Sequence, residues 1–534
     1  MEKGAQQPVV EKRVQTLGTV RLRHHETNEI IRIPVPSNDP NDPLNWSQSY
    51  KYVMVVVICL AMMMSNFLAA GPTIAIVQTA IDFFPELPVP KAVGRVAYFF
   101  TTTALLQGTS NFFWVPLTNK FGRRPVYITS YAIYFAVCVW LIFETRYGAF
   151  LAGRILLGIG SGAAETIAPL SIADVFFLHE RGFVMALYTS FLSIGVAAGM
   201  IVDGFIVLNH DWRVIYQVAA ALIGFVLLLA IFAFPETAYI RPIEGIEDSE
   251  TATSDTASKK SAPPRHLELS SAATPPPKET YFQSLKIYHR VWTEESLVKM
   301  FVRPLGLIIL PPVLWAALVE SVTIGFVVAV SSNVAPAYQQ AYGFEPWKVG
   351  LCFIAAIIGS LMGIPAGGWL ADVVADIFTR RNGGVRVPEM RLPTMMLCLI
   401  STPLSLVLYG VGIEKQLHWI CPTIGLGLLN FSIAQGTNVC LVYVIDAYRP
   451  VAGEITLTVM GFKSMFGFLL SFYTNPWVEK SGYMDAFGAM AGISVAVLIL
   501  WIPLYIWGKD IRHASWRWPI LSYIHWEEDR EVGE

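Results

Sequence analysis

Two long apolar stretches of the chain are joined by one short basic sequence, PLTNKFGRRP, at residues 116–125. The flanking stretches, about 96–117 and 126–143, each approach the roughly 20 residues that a helix needs to cross the hydrocarbon of a bilayer. The glycine and the second proline suit a sharp reversal of the chain, and the paired arginines suit lipid phosphates or helix carboxyl ends. The sequence therefore predicts two membrane-spanning helices with a tight basic turn between them.

The same pattern of long apolar stretches recurs along most of the chain. The protein has 534 residues, of which 54% are hydrophobic and 15% charged, so a soluble globule is excluded. A formal net charge of −2 excludes the strongly basic balance of a nucleic-acid binder, and we expect no nucleic-acid partner. We predict twelve spanning helices, called segments 1 to 12 below: residues 52–77, 96–117, 126–143, 150–175, 183–208, 212–234, 305–335, 349–374, 392–413, 419–443, 455–477 and 484–507.

A polar, proline-rich stretch interrupts this pattern between segments 6 and 7. Residues 244–279 are rich in Ser, Thr, Ala, Pro and charge, which is typical of a disordered linker. Residues 281–299 mix apolar and basic side chains, and two placements fit them equally: along the membrane surface, or packed against the bundle. We predict these parts of the chain: an N-terminal tail (1–51), a six-helix half (52–234), a linker disordered in its middle (235–304), a second six-helix half (305–507) and a C-terminal tail (508–534).

The placement of basic residues predicts the orientation. The four short loops after even-numbered segments carry nine Lys or Arg residues, whereas the six loops after odd-numbered segments carry seven when Arg213, at the start of segment 6, is counted with them. Cytosolic loops are enriched in Lys and Arg, so we expect the even-numbered loops, the linker and both termini in the cytosol. The six cysteines are scattered singly, which indicates no zinc site or disulfide framework. We expect no cofactor and no metal.

The loop at residues 116–125 resembles the signature loop G-x-x-x-D-R-x-G-R-R of the major facilitator superfamily, with Val115 and Asn119 in place of its first Gly and its Asp. The corresponding place in the second half, GWLAD at residues 368–372, repeats the G-x-x-x-D part. Further fragments resemble the fungal twelve-helix drug:proton antiporter-like branch: DPLNW (42–46), HERG (179–182), DWR (211–213), PET (235–237) and YVIDAYR (443–449).

This resemblance implies an all-α polytopic membrane protein with the major facilitator fold, built from two pseudo-symmetric six-helix halves. Segment 5 contains GVAAGMIVDG at residues 195–204, which is similar to the family's antiporter motif G-x-x-x-G-P-x-x-G-G, with Met200 for Pro and Asp203 for Gly. Glycines four apart let two helices approach closely. The residues expected to act in conformational gating are Gly122, Arg123, Arg124, Asp372, Gly195 and Gly199.

Five ionisable residues stand out within the predicted segments: Arg154, Glu165, Asp203, Glu320 and Lys463. A charge at the centre of a span costs about 2.5–3.5 kcal/mol on insertion scales, so each needs a role or a partner. Arg154 begins a stretch that resembles the family's R-x-x-x-G element, which is linked to proton transfer. The alternative is that Arg154 bridges helices by hydrogen bonds. Glu165 binds a proton or cation, or forms a static salt bridge. Glu320 and Lys463 are expected to pair, either as a structural ion pair or as a lock that protonation or a charged substrate opens. Asp203 is expected to be either a solvated cap or a gate.

Polar side chains inside the apolar segments extend the candidate cavity, although hydrogen bonding between helices is an alternative role for each. The residues expected to couple protons are Glu165, Arg154, Asp203 and Glu320. The residues expected to bind substrate are Asn66, Gln107, Asn111, Glu165, Glu320, Asn333, Asn430, Gln435 and Lys463.

These features predict a secondary active transporter that uses protons and alternating access to move a small organic molecule, with the resemblance favouring efflux by antiport. The expected substrate is a drug-like compound, a secondary metabolite or an organic cation such as a polyamine. The alternatives are uptake of a small nutrient or carboxylate metabolite, and a membrane sensor that does not transport. No nucleophile–base arrangement or phosphate-binding loop indicates an enzyme or an ATP-driven pump. We expect a monomer in the lipid bilayer of the plasma membrane.

Overall fold

A computed structural model describes residues 20–21, 34, 36–37, 39–239, 278, 280–293 and 295–518. The predicted disordered middle of the linker lies outside the described residues except for residue 278. Within the described part, the chain is helical apart from short turns and one antiparallel ladder, in which Val20–Arg21 pairs with Val385–Arg386.

All twelve predicted segments are helical, and several contain local breaks. Their bounds are as follows: segment 1, Gln48–Ala70, a 3-10 turn at Gly71–Ala75 and Ile76–Phe83; segment 2, Val89–Thr109 and Asn111–Phe121; segment 3, Arg123–Phe143; segment 4, Tyr147–Val175; segment 5, Arg181–Asn209; segment 6, Arg213–Ala233; segment 7, Pro311–Tyr342; segment 8, Pro346–Cys352, Ile354–Gly367 and Trp369–Arg381; segment 9, a 3-10 helix at Pro388–Thr394 and Met395–Glu414; segment 10, Ile420–Ser432, a π-helical turn at Ile433–Thr437 and Asn438–Ala447; segment 11, the part of Ala452–Leu498 before Gly482; and segment 12, the part after Gly482 together with Trp501–Trp516. Two shorter helices, Tyr281–Ser284 and Leu297–Leu307, precede segment 7.

Ten helices of the described part are long and apolar enough to cross a membrane. Two differences account for the two segments that this number lacks. Segment 2 is not among the ten, although it runs between segments 1 and 3. The last of the ten, Ala452–Trp516, covers 65 residues, whereas a straight helix of that length would measure about 100 Å. Gly482, with φ 82° and ψ 167°, breaks it into segments 11 and 12.

The two halves repeat one packing pattern. In the first half, segment 1 packs on 5, 2 on 4, 3 on 4 and 3 on 6. In the second half the equivalent pairs recur six segments later: 7 on 11, 8 on 10, 9 on 10 and 9 on 12. The halves meet where segment 5 packs on 8 and segment 2 on 11. This approximate two-fold arrangement confirms the predicted fold class.

Small residues set the close approach of segments 1 and 5. A Cβ on Gly195 would lie 2.4 Å from the Met63 carbonyl oxygen, and a Cβ on Gly199 would lie 2.6 Å from the Phe67 carbonyl oxygen. Side chains at either position would therefore separate the two helices. Both glycines pack within the first half.

Candidate functional site

A cavity of about 870 Å³, counting the part open to solvent, lies between the two halves. Segments 1, 2, 4 and 5 of the first half and segments 7 and 11 of the second half form its walls. Its lining residues are Asn66, Ala69, Ala70, Thr73, Phe100, Thr101, Ala104, Gln107, Glu165, Leu192, Val196, Ile324, Gly325, Val327, Val328, Ser331, Ser332, Lys463, Ser464, Gly467, Phe468 and Ser471. The walls are mostly apolar, and the charged members are one carboxylate and one ammonium.

The cavity lies toward the end of the bundle that is opposite to the start of segment 1. We call the end where segment 1 begins the near end, and the opposite end the far end. The lining residues of segment 1 come from its middle and far part. At the near end the halves touch, because Asn438 Nδ2 donates to the Gly182 carbonyl at 3.3 Å, and the Asp372 carboxylate lies against Gly182. At the far end Tyr98 and Phe472 bring their ring centroids to 5.1 Å.

A salt bridge between the halves crosses this cavity. Lys463 Nζ of segment 11 lies 3.4 Å from Glu165 Oε2 of segment 4, and both side chains are about 5% exposed or less. Gln107 Nε2 donates to Glu165 Oε1 at 3.1 Å and to Ser65 Oγ at 3.1 Å. The predicted pairing of Lys463 with Glu320 is therefore wrong in its partner. The Lys463 ammonium pairs with Glu165 instead, because Glu165 projects into the cavity from the facing half.

Glu320 lies behind this pair. Its side chain is 0% exposed, neither carboxyl oxygen has a hydrogen-bond partner, and it is close enough to interact electrostatically with Lys463 and Glu165. It is not one of the residues that line the cavity. Two carboxyl groups and one ammonium thus form one buried cluster, which carries an uncompensated negative charge when both carboxyls are ionised.

Arg154 is buried away from the cavity lining and is satisfied by backbone oxygens. Its guanidinium donates to the carbonyl oxygens of Phe99 at 3.0 Å, Leu68 at 3.0 Å and Ala69 at 3.3 Å. It also donates to the Tyr216 hydroxyl at 3.4 Å. These bonds join segments 1, 2, 4 and 6, so the geometry favours the bridging interpretation of this arginine.

Asp203 is 0% exposed, and neither carboxyl oxygen has a hydrogen-bond partner. The prediction of a solvated cap is therefore wrong. The carboxyl packs against the 3-10 turn of segment 1, because a Cβ on Gly71 would lie 2.4 Å from Asp203 Oδ2. Sequence position near the helix end indicated access to water, whereas the turn of segment 1 covers this site.

Two of the predicted polar ligands line the cavity, namely Asn66 and Gln107. The other four form contacts elsewhere: Asn111 bonds the Gln107 carbonyl at 3.0 Å and Thr166 Oγ1 at 2.7 Å, Asn333 bonds Asn475 Oδ1 at 2.9 Å, Asn430 bonds the Leu426 carbonyl at 2.8 Å, and Gln435 bonds the Thr394 carbonyl at 2.9 Å. Sequence reasoning missed the cavity hydroxyls, such as Thr101, Ser331 and Ser464. Ser and Thr are frequent in spanning helices, where they bond between helices or to their own backbone, so their presence alone signals no cavity.

The loop after segment 2 is held by residues of the first half and of the linker. Gly122 adopts φ 100°, and the Glu236 carboxylate accepts the backbone N–H groups of Arg123 at 2.9 Å and Arg124 at 3.1 Å. Arg123 Nε lies 3.0 Å from Asp174 Oδ2 at the end of segment 4. The carboxylate of Glu236 thus caps the start of segment 3, where the helix dipole favours negative charge.

The equivalent loop of the second half uses a related set of charges. Arg391 lies 2.6 Å from Asp372 and 3.9 Å from Asp446, which ends segment 10 as Asp174 ends segment 4. Arg386 lies 3.6 Å from Asp372, and burial, with nearby Arg391 acting in the same direction, lowers the pKa of Arg386 to about 10. Because Asp372 also lies against segment 5, this loop contacts both halves.

Taken together, a twelve-helix bundle of two repeated halves around a central cavity defines the class: an integral, multi-pass membrane protein of the transporter type. The sequence profile of the Major Facilitator Superfamily matches residues 52–474. The chain belongs to this superfamily, whose members are transporters.

Two fungal relatives and one solved structure illustrate the similarity. The chain is 23% identical to "Uncharacterized MFS-type transporter C1271.10c" of Schizosaccharomyces pombe, over 93% of this chain and 89% of the relative. It is 25% identical to "Probable efflux pump mfs2" of Aspergillus flavus, over 74% and 89%. Its fold matches the proton:xylose symporter XylE bound to 6-bromo-6-deoxy-D-glucose with TM-score 0.59 and 16% identity, over 86% of this chain and 97% of XylE.

Proposed function

We propose that this transporter couples proton movement to the export of a small amphipathic organic molecule by alternating access. The observation that carries the proposal is the Glu165–Lys463 salt bridge, which joins the two halves inside the cavity. Protonation of Glu165 removes the negative charge that attracts Lys463. The halves then lose one attraction at this depth and are free to move apart, which links proton binding to the cavity state.

The second carboxyl extends this proton site. With Lys463 compensating one carboxylate, a single bound proton shared between Glu165 and Glu320 leaves the cluster neutral in apolar surroundings. About 100 mV and one pH unit together supply about 3.7 kcal/mol per proton, enough for about a 500-fold gradient of a neutral solute. In this proposal Arg154 and Asp203 affect coupling indirectly, through the far end of segment 1 that both contact.

The mostly apolar cavity walls suit a drug-like compound or a secondary metabolite as the substrate. An organic cation such as a polyamine suits the site as well if it displaces Lys463 from Glu165. Phe100 and Phe468 offer aromatic surface, while Asn66 and Gln107 offer amide groups. The printed name of the Aspergillus flavus relative supports export. Uptake of a small nutrient is the second candidate, favoured by the fold shared with a proton:xylose symporter.

We further propose that the near end faces the cytosol, since the basic loops and the described parts of the linker and of the tails lie there. The proposed division of the chain remains the one predicted from the sequence: 1–51, 52–234, 235–304, 305–507 and 508–534. The proposed gates are the two near-end loops, with Gly122, Arg123, Arg124 and Asp372, and the Gly195 and Gly199 contact with segment 1. A cavity complete within one chain supports a monomer, and we propose the plasma membrane as its site.

The Glu165→Gln variant tests the proton coupling. Purified protein in liposomes, screened with fungal metabolites, drugs, polyamines and sugars, is assayed for substrate-driven proton flux and for counterflow of labelled substrate. We expect Glu165→Gln to lose proton flux and pH dependence while it keeps counterflow. The control is Glu86→Gln, an exposed carboxylate in the loop after segment 1. Unchanged proton coupling in Glu165→Gln contradicts the proposal, and saturable binding without counterflow indicates a sensor.

A further inference from the structure

The helix Leu297–Leu307, just before segment 7, has one face fixed to the bundle. Arg303 is fully buried and lies 3.2 Å from Glu295 and 2.9 Å from Glu454, at the start of segment 11. Thr458 Oγ1 also donates to the Pro304 carbonyl at 2.8 Å. These contacts fix the rotation of the helix about its own axis, so its other face must point away from the bundle.

That outward face is apolar. Val298 is 71% exposed, Phe301 47% and Leu305 54%. Their spacing of three and four residues places them on one side of the helix. Exposed apolar side chains continue through the turn at Ile309, which is 41% exposed, to Leu314 of segment 7, which is 38% exposed. Exposed apolar side chains thus run from this helix into a membrane-spanning segment.

The chain before this helix carries a second exposed apolar group beside basic residues. Ile287 is 58% and Tyr288 53% exposed, and Lys286 and Arg290 flank them on the surface. This part is also fixed in place: the Trp292 backbone N–H donates to the Lys120 carbonyl at 2.9 Å, and Arg124 Nη2 donates to the Leu285 carbonyl at 3.0 Å.

We propose that Lys286, Ile287, Tyr288, Arg290, Val298, Phe301 and Leu305 form a lipid-binding surface that takes the anionic phospholipids of the leaflet at the near end. We call it the linker surface. Its apolar side chains enter the boundary between headgroups and acyl chains, and its two cations meet the phosphate and carboxylate groups. Continuity with segment 7 favours the bilayer over a protein partner as the occupant.

The linker surface is connected to the loop between segments 2 and 3. Lipid bound there holds the backbone that contacts Lys120 and Arg124, which belong to the loop between segments 2 and 3. The anionic lipid content of the membrane therefore acts on a loop at the near end of the bundle, independently of any substrate in the cavity.

Two measurements on the full chain test the proposal. In the first, a spin label is attached at Val298→Cys in liposomes, with the unsubstituted chain as the labelling background. We expect its relaxation to respond to oxygen, which partitions into the bilayer, rather than to an aqueous nickel complex. A response to the aqueous reagent overturns the proposal, as does protection that appears only after a soluble cell extract is added, because it indicates a protein partner.

In the second, phosphatidylserine retention is measured by mass spectrometry of the purified protein. We expect the double variant Lys286→Gln/Arg290→Gln to bind phosphatidylserine more weakly, by about fivefold for each charge at low salt, with unchanged retention of phosphatidylcholine. The matched control is Lys415→Gln/Lys480→Gln, two exposed cations at the far end. Equal loss in both double variants, or no loss in either, overturns the proposal. Gel filtration verifies that each variant is folded.

Discussion

Removal of Lys463 gives the sharpest test of the ion pair inside the bundle. At 3.4 Å and an effective dielectric constant of about 20, two unit charges attract each other by about 5 kcal/mol. In the Lys463→Gln variant, Glu165 keeps its hydrogen bond from Gln107 but loses its counter-charge. Breaking a buried pair from one side costs about 3–5 kcal/mol, so we expect a large loss of stability at neutral pH.

The double variant Glu165→Gln/Lys463→Gln should recover part of that loss, because the carboxylate in the salt bridge is removed together with its counter-charge, and Glu320 is the one carboxyl of the cluster that remains. The measurement is the thermal unfolding midpoint in detergent, compared across wild type, both single variants and the double variant. A double variant as unstable as the sum of the singles, or a single variant as stable as wild type, refutes the reasoning.

Three further predictions concern the framework around the cavity. Glu236→Gln should lower the free energy of unfolding by about 1–2 kcal/mol, measured as a lower unfolding midpoint, because its carboxylate caps the start of segment 3. Gly199→Val should abolish transport or expression, since a Cβ there meets a backbone oxygen at 2.6 Å, while Gly492→Ala, with nothing within 4 Å, should behave as wild type. Arg391→Gln should destabilise the protein more than Arg386→Gln in the same assay, because Arg391 lies 2.6 Å and Arg386 3.6 Å from the shared carboxylate of Asp372; the reverse order would contradict this assignment.

The fold was predictable because its main determinant is local. A span is set by about 20 consecutive apolar residues, and the polar group at each end is visible in the sequence. The stretch Ala452–Trp516 shows what the sequence leaves open, namely the residue at which one helix ends and the next begins. Two apolar segments separated by a few polar residues predict two helices, while the location of the break depends on Gly482, whose positive φ is favourable mainly for glycine.

The candidate site was predictable in its chemistry and only partly in its contacts. Ionisable residues in apolar segments are visible without a structure, and Glu165, Lys463, Asn66 and Gln107 do line the cavity. Asn430 does not line it, although it too is a polar residue inside an apolar segment. Successive residues point about 100° apart around a helix, so a small error in helix rotation moves a side chain from the cavity to a packed face.

The amino-acid sequence by itself determined that this chain crosses the membrane repeatedly, that its halves are related, and that charges are held inside the bundle. The crossings and the retained charges follow from the free energy of moving side chains between water and hydrocarbon, which depends on composition over short windows. The relation of the halves follows from the loop motif at residues 116–125 and its counterpart at 368–372. Only the tertiary structure decided that Lys463 meets Glu165 and that Asp203 is covered by segment 1. Such contacts join helices far apart in the chain, and their partners depend on how each helix is rotated and how closely it packs.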